Sequence, residues 1–261
     1  MAPKRKRSTP EPPEHELEWL ALELDLTTLT KALPDLLEQA QQQSMSYTDF
    51  SLALLRTEWQ ARKERRLARG LRRSHLGTIA GLEDFDFSLR PQLEPRVVKE
   101  MLNCAFVEEN RNIICVGRPG LGKTRIAKAL AHAACLHGYS VLFTTVIDML
   151  DDLHASLADG TFRRTFGRYV KPSLLVADEM GYQGIDSVRA NYLYRLVSAR
   201  HGQGSMIITA NVGFAKWSSF FPSDNQAAST VDRLLDRATI LRFSGKSFRQ
   251  PQEIHGAPLD E

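Results

Sequence analysis

Two hydrophobic periods divide the chain into a front part and a back part. Between about residues 16 and 80, apolar residues recur at intervals of three and four, as in residues 29–37, and this spacing predicts amphipathic helices. Pro34 is expected to break or to start a helix. A long helix is expected to begin at Thr48 or Asp49, either of which can cap it. One side of this helix is expected to carry the apolar residues Phe50, Leu54, Leu55, Trp59, Leu67 and Leu71.

After about residue 96, short apolar runs alternate with amphipathic helical stretches. The runs are residues 112–116, 141–144, 174–178, 206–210 and 239–243. Strands that alternate with helices predict an α/β fold with a five-stranded parallel sheet covered on both faces. Ligands of such sheets bind at the carboxyl ends of the strands, so the residues directly after each run are the candidate site residues.

These changes of pattern predict the domain organisation. The expected segments are a disordered basic and proline-rich tail (1–15), a helical domain (16–80), an acidic linker (81–95), an α/β domain (96–250) and a second tail (251–261). Phe85 and Phe87 are expected to hold the linker against a neighbouring domain. The stretch Lys4–Arg7 is either an arm that touches DNA or a solvated terminus.

Composition excludes several classes of protein. With 43% hydrophobic and 25% charged residues, the chain is not wholly disordered. It contains no apolar run of about 18 residues, and no apolar core follows the basic N-terminus. We therefore expect a cytoplasmic protein without a membrane partner. The three cysteines never occur as CxxC and the seven histidines are scattered, a pattern that indicates neither a disulfide framework nor a zinc site.

The distribution of charge says more than the total of +3. Between Arg56 and Arg73, eight basic residues face two acidic ones, which gives this stretch a net charge of +6. Solvated helix faces usually mix the two signs, so this bias favours a surface that binds DNA phosphates, with a solvated face as the alternative. The candidate DNA-binding residues here are Arg62, Lys63, Arg65, Arg66, Arg69, Arg72 and Arg73.

A phosphate-binding loop follows the first predicted strand. The segment Gly117–Thr124 fits GxxxxGK[ST] and precedes a predicted helix over Ile126–Leu136. Its glycines let backbone N–H groups approach a phosphate, while Lys123 can neutralise the β- and γ-phosphates of ATP and Thr124 can bind Mg²⁺. The predicted ATP-binding residues are Gly117, Arg118, Pro119, Gly120, Leu121, Gly122, Lys123 and Thr124.

Acidic and amide side chains follow the third and fourth predicted strands. Asp178 is expected to bind Mg²⁺ through water, and Glu179 to polarise an attacking water as a general base. Asn211 follows the fourth strand and can orient that water or touch the γ-phosphate.

Two Asp-Arg pairs lie between the fourth and fifth strands, in Asp232-Arg233 and Asp236-Arg237. They are either surface ion pairs or a source of a guanidinium that stabilises charge on a transferring phosphoryl group. Spacing alone does not choose between these interpretations.

With these motifs assembled, the sequence resembles the IstB-type transposition helper ATPases and the wider DnaC-like group of helicase loaders within the AAA+ class. The resemblance covers nearly the whole chain. It is carried by the front helix Leu55–Arg69, the hinge Leu82–Phe87, the phosphate loop, and the segments Ala177–Tyr182, Asp232–Asp236 and Gly245–Arg249. The phosphate loop is common to many NTPases, so the front helix and the closing motif make the match specific.

The resemblance implies a P-loop AAA+ ATPase core that lacks a C-terminal lid and follows a small all-α domain. Lys123, Thr124, Asp178 and Glu179 would take the Walker roles, and Asn211 would be the sensor. Arg233 would be a finger that reaches the γ-phosphate of a neighbouring subunit, which implies a homo-oligomer assembled by ATP. Arg237 is the fallback for that role, and Arg249 would touch either nucleotide or the phosphate backbone.

The resemblance also implies an extra helix between the second and third strands. Its basic residues would face DNA, with a solvated face as the alternative, and they are Arg163, Arg164, Arg168 and Lys171. Binding of this family to duplex DNA tolerates many sequences, which implies contacts mostly to phosphates.

The expected function is that of a DNA-dependent regulatory ATPase, which uses ATP and Mg²⁺, assembles on double-stranded DNA and assists an insertion-sequence transposase. The alternative is a helicase loader, whose front domain would bind a protein; the cationic front helix favours DNA, because a docking face should be more apolar. The adjacent Asp178 and Glu179 argue against a small-molecule kinase, and Glu179 argues against a nucleotide-binding scaffold without turnover.

Overall fold

The computed structural model describes residues 13–79, 81–181 and 183–248. The chain forms two compact units, the first ending at Ala68 and the second beginning at Arg69. This division precedes the expected linker, and the domain limits inferred from sequence stay predictions. Lys4–Arg7 and Arg249 lie outside the described residues.

The first unit is built from helices. They are α1 (Pro13–Glu23), α2 (Thr27–Gln42) and α3 (Tyr47–Ser74), of which α3 continues into the second unit. Helix α2 runs through Pro34, so the expected break at this residue is wrong. The proline is exposed, which lets water hydrate the backbone carbonyl that loses its helical partner. Helix α3 also begins earlier than expected, because Ser46 caps it by accepting a hydrogen bond from the Asp49 N–H at 3.1 Å.

The apolar side expected for α3 is partly wrong. Leu55 and Trp59 are 67% and 61% exposed, whereas Glu58 between them is buried. A polar contact of Glu58, described below, turns that side of the helix inward and leaves the two large apolar side chains outside. The front helix therefore does carry exposed apolar surface, contrary to the expectation that it lacks a docking patch.

The second unit is an α/β domain with one parallel sheet. Its strands are β1 (Ile113–Gly117), β2 (Val141–Thr145), β3 (Leu174–Met180), β4 (Ser205–Ala210) and β5 (Thr239–Phe243). The order across the sheet is β2-β3-β4-β1-β5. All five predicted strands are confirmed, with ends that agree within two residues.

Helices surround this sheet. They are α4 (Pro95–Met101), α5 (Ala105–Glu108), α6 (Lys123–Leu136), α7 (Val146–Ala158), α8 (Phe162–Val170), α9 (Ser187–Arg200) and α10 (Asp224–Leu235). Helix α8 is the extra helix expected between the second and third strands. The central strands β1, β3 and β4 are almost wholly buried, as strands covered on both faces must be.

Strand register fixes the edge that carries the candidate site. Ala210, the last residue of β4, pairs with Val116 of β1 on one side and with Met180 of β3 on the other. The segments that follow β1, β3 and β4 therefore emerge side by side at the carboxyl edge of the sheet. None of the helices in the described part of the chain is long and apolar enough to cross a lipid bilayer.

Candidate active site

The phosphate loop joins β1 to α6, in the strand-loop-helix context that the motif requires. Lys123 is the first residue of α6 and is buried. Its Nζ donates hydrogen bonds to the carbonyl oxygens of Gly117, at 2.7 Å, and Arg118, at 2.8 Å. The ammonium group is thus folded back over its own loop, where it can bind an anion that the loop receives.

Two glycines of the loop are required by packing against neighbouring segments. A Cβ on Gly117 would lie 2.4 Å from the Phe243 carbonyl oxygen, because β5 runs directly alongside. Gly122 has φ +89°, and a Cβ there would lie 2.6 Å from the ring of Phe85. Phe85, one of the two phenylalanines expected to hold the linker, is buried here, whereas Phe87 is half-buried. The glycines therefore serve close packing as well as the approach of a phosphate.

Three side chains from different elements meet behind the loop. The hydroxyl of Thr124 lies 3.0 and 3.1 Å from the two carboxylate oxygens of Asp178. Asp178 is 5% exposed, and its carboxylate also accepts a hydrogen bond from the hydroxyl of Thr209. A buried carboxylate held by two hydroxyls cannot leave this position without losing both partners.

This cluster fits a magnesium ion of the kind bound with nucleotide phosphates. No group of three or more His, Cys, Asp or Glu side chains that could hold a metal occurs among the described residues. Mg²⁺ needs no such cage, since it is commonly bound by one or two carboxylates together with phosphates and waters. Thr124 and Asp178 supply the oxygen ligands for that arrangement.

Glu179 occupies an irregularity at the end of β3. Pairing with β4 runs from Ala177 opposite Ile208 to Met180 opposite Ala210, so β3 contains one extra residue there. Glu179 has φ +63°, a left-handed conformation that a side chain with a Cβ rarely adopts. The bulge exposes the Glu179 side chain although both flanking residues are buried. A strained backbone that presents one carboxylate at a strand end is typical of functional sites.

Thr209 is the site residue that sequence reasoning missed. Its hydroxyl donates to Asp178 and accepts a hydrogen bond from the Glu179 N–H at 3.0 Å. One buried side chain thus fixes both acidic residues. The available signal was a single threonine near the end of the otherwise apolar run 206–210, directly before Ala210 and Asn211.

Asn211 directly follows β4. It follows Ala210, whose neighbours across the sheet belong to β1 and β3. The residue therefore follows the strand that lies between the one before the phosphate loop and the one that ends near Asp178 and Glu179. Its role as a sensor stays a prediction.

Arg233 is not brought to this edge of the sheet. It lies in the last turn of α10, donates to the Ser229 carbonyl at 3.1 Å and packs 4.8 Å from the ring centre of Tyr194. The adjacent Leu234 carbonyl accepts a hydrogen bond from Asn112, which precedes β1 and marks the amino edge. Arg237, exposed and also at this end, lines a small pocket with Arg233, His201 and Asp236. Neither arginine is near its own phosphate loop.

Two of the candidate DNA-binding residues have structural contacts in the first unit. Glu58 accepts hydrogen bonds from Arg62 Nε at 2.9 Å and Arg65 Nη2 at 2.8 Å. It also accepts hydrogen bonds from the backbone N–H groups of Thr28 and Leu29. Glu58 of α3 thereby caps the N-terminus of α2. Burial raises the pKa of Glu58, but the Arg62 contact and the two N–H groups outweigh it, so the pKa is lowered overall.

Some of the remaining candidate DNA-binding residues also contact other groups within the protein. Lys63 lies 5.2 Å above the ring of Trp59, and Arg168 forms an ion pair with Asp152 at 3.2 Å. Arg66 and Arg69 each have an interaction within the protein. Further exposed candidates of the second unit are Arg72, Arg73, Arg163, Arg164 and Lys171, the last three of which line one cleft beside α8.

Comparison with known sequences identifies relatives along nearly the whole chain. The model of the family described as IstB-like ATP binding protein matches residues 20–255. The ATP-binding protein of insertion sequence IS21 from Pseudomonas aeruginosa is 34% identical over 90% of this chain and 89% of the relative. That of insertion sequence IS5376 from Geobacillus stearothermophilus is 29% identical over 87% of this chain and 90% of the relative.

Solved structures share the fold of the second unit. The DnaC helicase loader matches with a TM-score of 0.53 at 18% identity, over 66% of this chain and 97% of that chain. The replication initiator DnaA bound to AMPPCP and single-stranded DNA matches with a TM-score of 0.52 at 19% identity, over 64% of this chain and 50% of that chain. The second unit therefore has the P-loop AAA+ fold.

Proposed function

Because the chain belongs to the IstB-like ATP-binding protein family, we propose that it is an ATP-hydrolysing regulator that assembles on duplex DNA and assists an insertion-sequence transposase. The relatives named above are ATP-binding proteins of insertion sequences, which supports a role in transposition. The observation that carries the ATPase proposal is the contact of Thr124 with Asp178 beside the exposed carboxylate of Glu179.

Each group at the sheet edge has a proposed task. Lys123 binds the β- and γ-phosphates, with the loop N–H groups around them. Thr124 and Asp178 hold Mg²⁺, which would neutralise the developing charge on the phosphates. Glu179 accepts a proton from the water that attacks the γ-phosphorus, and Asn211 orients that water. Thr209 keeps both acidic residues in position.

The position of Arg233 supports a role in trans. A strand of five residues spans roughly 16 Å, and Arg233 lies at the opposite edge of the sheet from its own loop. In a homo-oligomer that stacks the amino edge of one subunit near the nucleotide of the next, Arg233 stabilises the transferring phosphoryl group, with Arg237 as the fallback.

The exposed cations support binding to DNA phosphates. Arg72 and Arg73 follow one another in α3, and Arg163, Arg164 and Lys171 share a cleft beside α8. Exposed guanidinium and ammonium groups bind DNA phosphates with little dependence on the base sequence. Hydrolysis at the sheet edge would then time the disassembly of the complex.

The central experiment measures DNA binding and oligomer size with ATP, with ADP and without nucleotide. We expect an oligomer on duplex DNA with ATP only. Glu179→Gln should lower ATP turnover by about 100-fold or more while it preserves ATP binding, and should trap the complex on DNA. Glu100→Gln is the matched control, since Glu100 is an exposed glutamate paired with Arg96 on α4.

Two results would contradict this proposal. An oligomeric state that does not change with ATP and DNA excludes the assembly model and the role of Arg233 in trans. Loss of nucleotide binding in Glu179→Gln, with the control unchanged, excludes Glu179 as the base.

One observation favours a second candidate function, in which the first unit docks a partner protein. Leu52, Leu55 and Trp59 are 41%, 67% and 61% exposed and follow one another along one face of α3. An exposed apolar stripe is better suited to docking a partner protein, as in a helicase loader, than to contacting the phosphate backbone of DNA. Trp59→Ala tests it: an unchanged affinity for duplex DNA together with lost binding of a replicative helicase would favour docking.

A further inference from the structure

Arg90 is a buried arginine that contacts the phosphate loop from outside. It follows a short 3-10 turn at Phe87–Leu89 and is 1% exposed. Its Nε donates to the carbonyl oxygen of Leu121 at 2.8 Å, and its Nη1 donates to that of Lys246 at 2.7 Å. One guanidinium therefore connects the linker, the phosphate loop and the segment after β5.

Phe248 completes this connection. Its ring centre lies 4.0 Å from Cζ of Arg90, and its backbone N–H donates to the carbonyl oxygen of Gly120 at 2.9 Å. Two consecutive carbonyls of the loop, those of Gly120 and Leu121, are thus held by groups outside the loop. A planar guanidinium stacked on an aromatic ring is fixed in orientation as well as in position.

These two contacts determine where the loop N–H groups point. In a trans peptide the carbonyl and the following N–H point in opposite directions. A Gly120 carbonyl held by Phe248 turns the Leu121 N–H away from Phe248, and a Leu121 carbonyl held by Arg90 turns the Gly122 N–H away from Arg90. Both donors are then aligned before any phosphate arrives, which lowers the ordering cost of binding.

We propose that Arg90 is a positioning residue for nucleotide binding: it aligns the phosphate-binding N–H groups of the loop and couples their alignment to the segment 244–248. The inference rests on the proposed use of this loop as the nucleotide site. Because backbone N–H groups of such loops surround the α- and β-phosphates, Arg90 acts equally on ATP and ADP.

Arg200 provides a matched control within the same unit. It is also 1% exposed, and burial lowers the pKa of both guanidinium groups. Arg200 donates to backbone carbonyls that include those of Tyr169, Val170 and Ser205, next to the start of β4 and away from the phosphate loop. A substitution there removes an equally buried network without a contact to the loop.

The experiment compares Arg90→Lys with Arg200→Lys. Dissociation constants of ATP and ADP are measured by calorimetry at a temperature where thermal unfolding shows the wild type and both variants folded. A lysine lacks the planar fork whose separate nitrogens donate to the Leu121 and Lys246 carbonyls, so we expect Arg90→Lys to raise both dissociation constants about tenfold. We expect the kcat for ATP to stay within twofold, because Arg90 does not touch the reacting atoms. Arg200→Lys should lower the Tm and leave both dissociation constants within twofold.

The outcomes distinguish a failure of the role proposed for Arg90 from a failure of the proposed function. If the wild type binds neither nucleotide, the proposed function fails. If the wild type binds and Arg90→Lys binds equally well, only the inference fails, as it also does when Arg200→Lys weakens binding to the same degree. Should Arg90→Lys not fold, Phe248→Leu removes the ring that orients the guanidinium from a residue that is 45% exposed. A two- to threefold rise in both dissociation constants supports the inference, and an unchanged pair overturns it.

Discussion

The residue patterns of the carboxyl edge of the sheet and of the basic front helix α3 both predict a binding surface. In the structure, the side chains of the two regions have different kinds of partner. At the sheet edge, Thr124, Asp178 and Thr209 meet in one cluster. On α3, Arg62 and Arg65 turn to the buried carboxylate of Glu58. A strand end fixes where its next residue lies, whereas a long cationic side chain on a helix pairs with any acid in reach. Strand ends therefore predict site residues more reliably than a cluster of basic residues on a helix does.

The largest expected effect tests the sheet edge. Lys123→Ala should weaken ATP binding by about 100-fold or more, because the loop loses the ammonium group that its own carbonyls hold in place. Calorimetric titration with ATP measures the change. Lys128→Ala is the control, since Lys128 is on the same helix but lies 4.9 Å from the ring centre of Phe143. Similar losses in both variants would mean that charge on α6, and not the loop lysine, binds the nucleotide.

The next effect tests whether Glu58 is structural. Glu58→Gln should destabilise α2 locally by about 2 kcal/mol, because two guanidinium groups and two backbone N–H groups lose a charged acceptor. Amide exchange at Thr28 and Leu29 measures it. The matched variant Glu64→Gln changes an exposed carboxylate of α3 that accepts a hydrogen bond from Gln60. Unchanged protection at Thr28 and Leu29 in Glu58→Gln would contradict the capping role.

A smaller effect separates structural from DNA-binding arginines. Arg72→Gln with Arg73→Gln should weaken duplex DNA binding and reduce the slope of log affinity against log salt by roughly 1.8, since each phosphate contact contributes about 0.9. Exchange at Thr28 and Leu29 should stay unchanged. Arg65→Gln should instead speed that exchange, because Arg65 contacts Glu58 and the hydroxyls of Thr27 and Thr28. If the salt slope is unchanged in the Arg72→Gln, Arg73→Gln variant, these arginines belong to a solvated face of α3.

The smallest effect is a dependence on pH. The pKa of Glu58 is lowered from its ordinary value of 4.5, so the ionised carboxylate is the form that stabilises the fold. That stabilisation is complete above pH 4.5 and is lost as the pH falls through the lowered value. Protection factors at Thr28 and Leu29 should therefore decline below pH 4.5 in the wild type and not in Glu58→Gln. An equal decline in both proteins would assign the effect to other carboxylates.

Much of the second unit could be predicted because its pattern is redundant. Apolar runs, intervening helical periods and a glycine-rich loop all indicate the same parallel sheet, and the five strands are confirmed. The first unit offered only a helical period, which says that helices form but not which side is buried. The helical period therefore does not show that Leu55 and Trp59 are exposed, or that α2 continues through the exposed Pro34.

The sequence by itself determined the order of the strands along the chain, the phosphate loop and the polar residues that follow each strand, because these depend on local spacing. Only the tertiary structure decided that Thr209 joins Asp178 to Glu179, that Arg90 holds the Leu121 carbonyl, and that Arg62 and Arg65 serve Glu58. The physical reason is that a buried polar group must find its partner in space, and that partner is often distant along the chain.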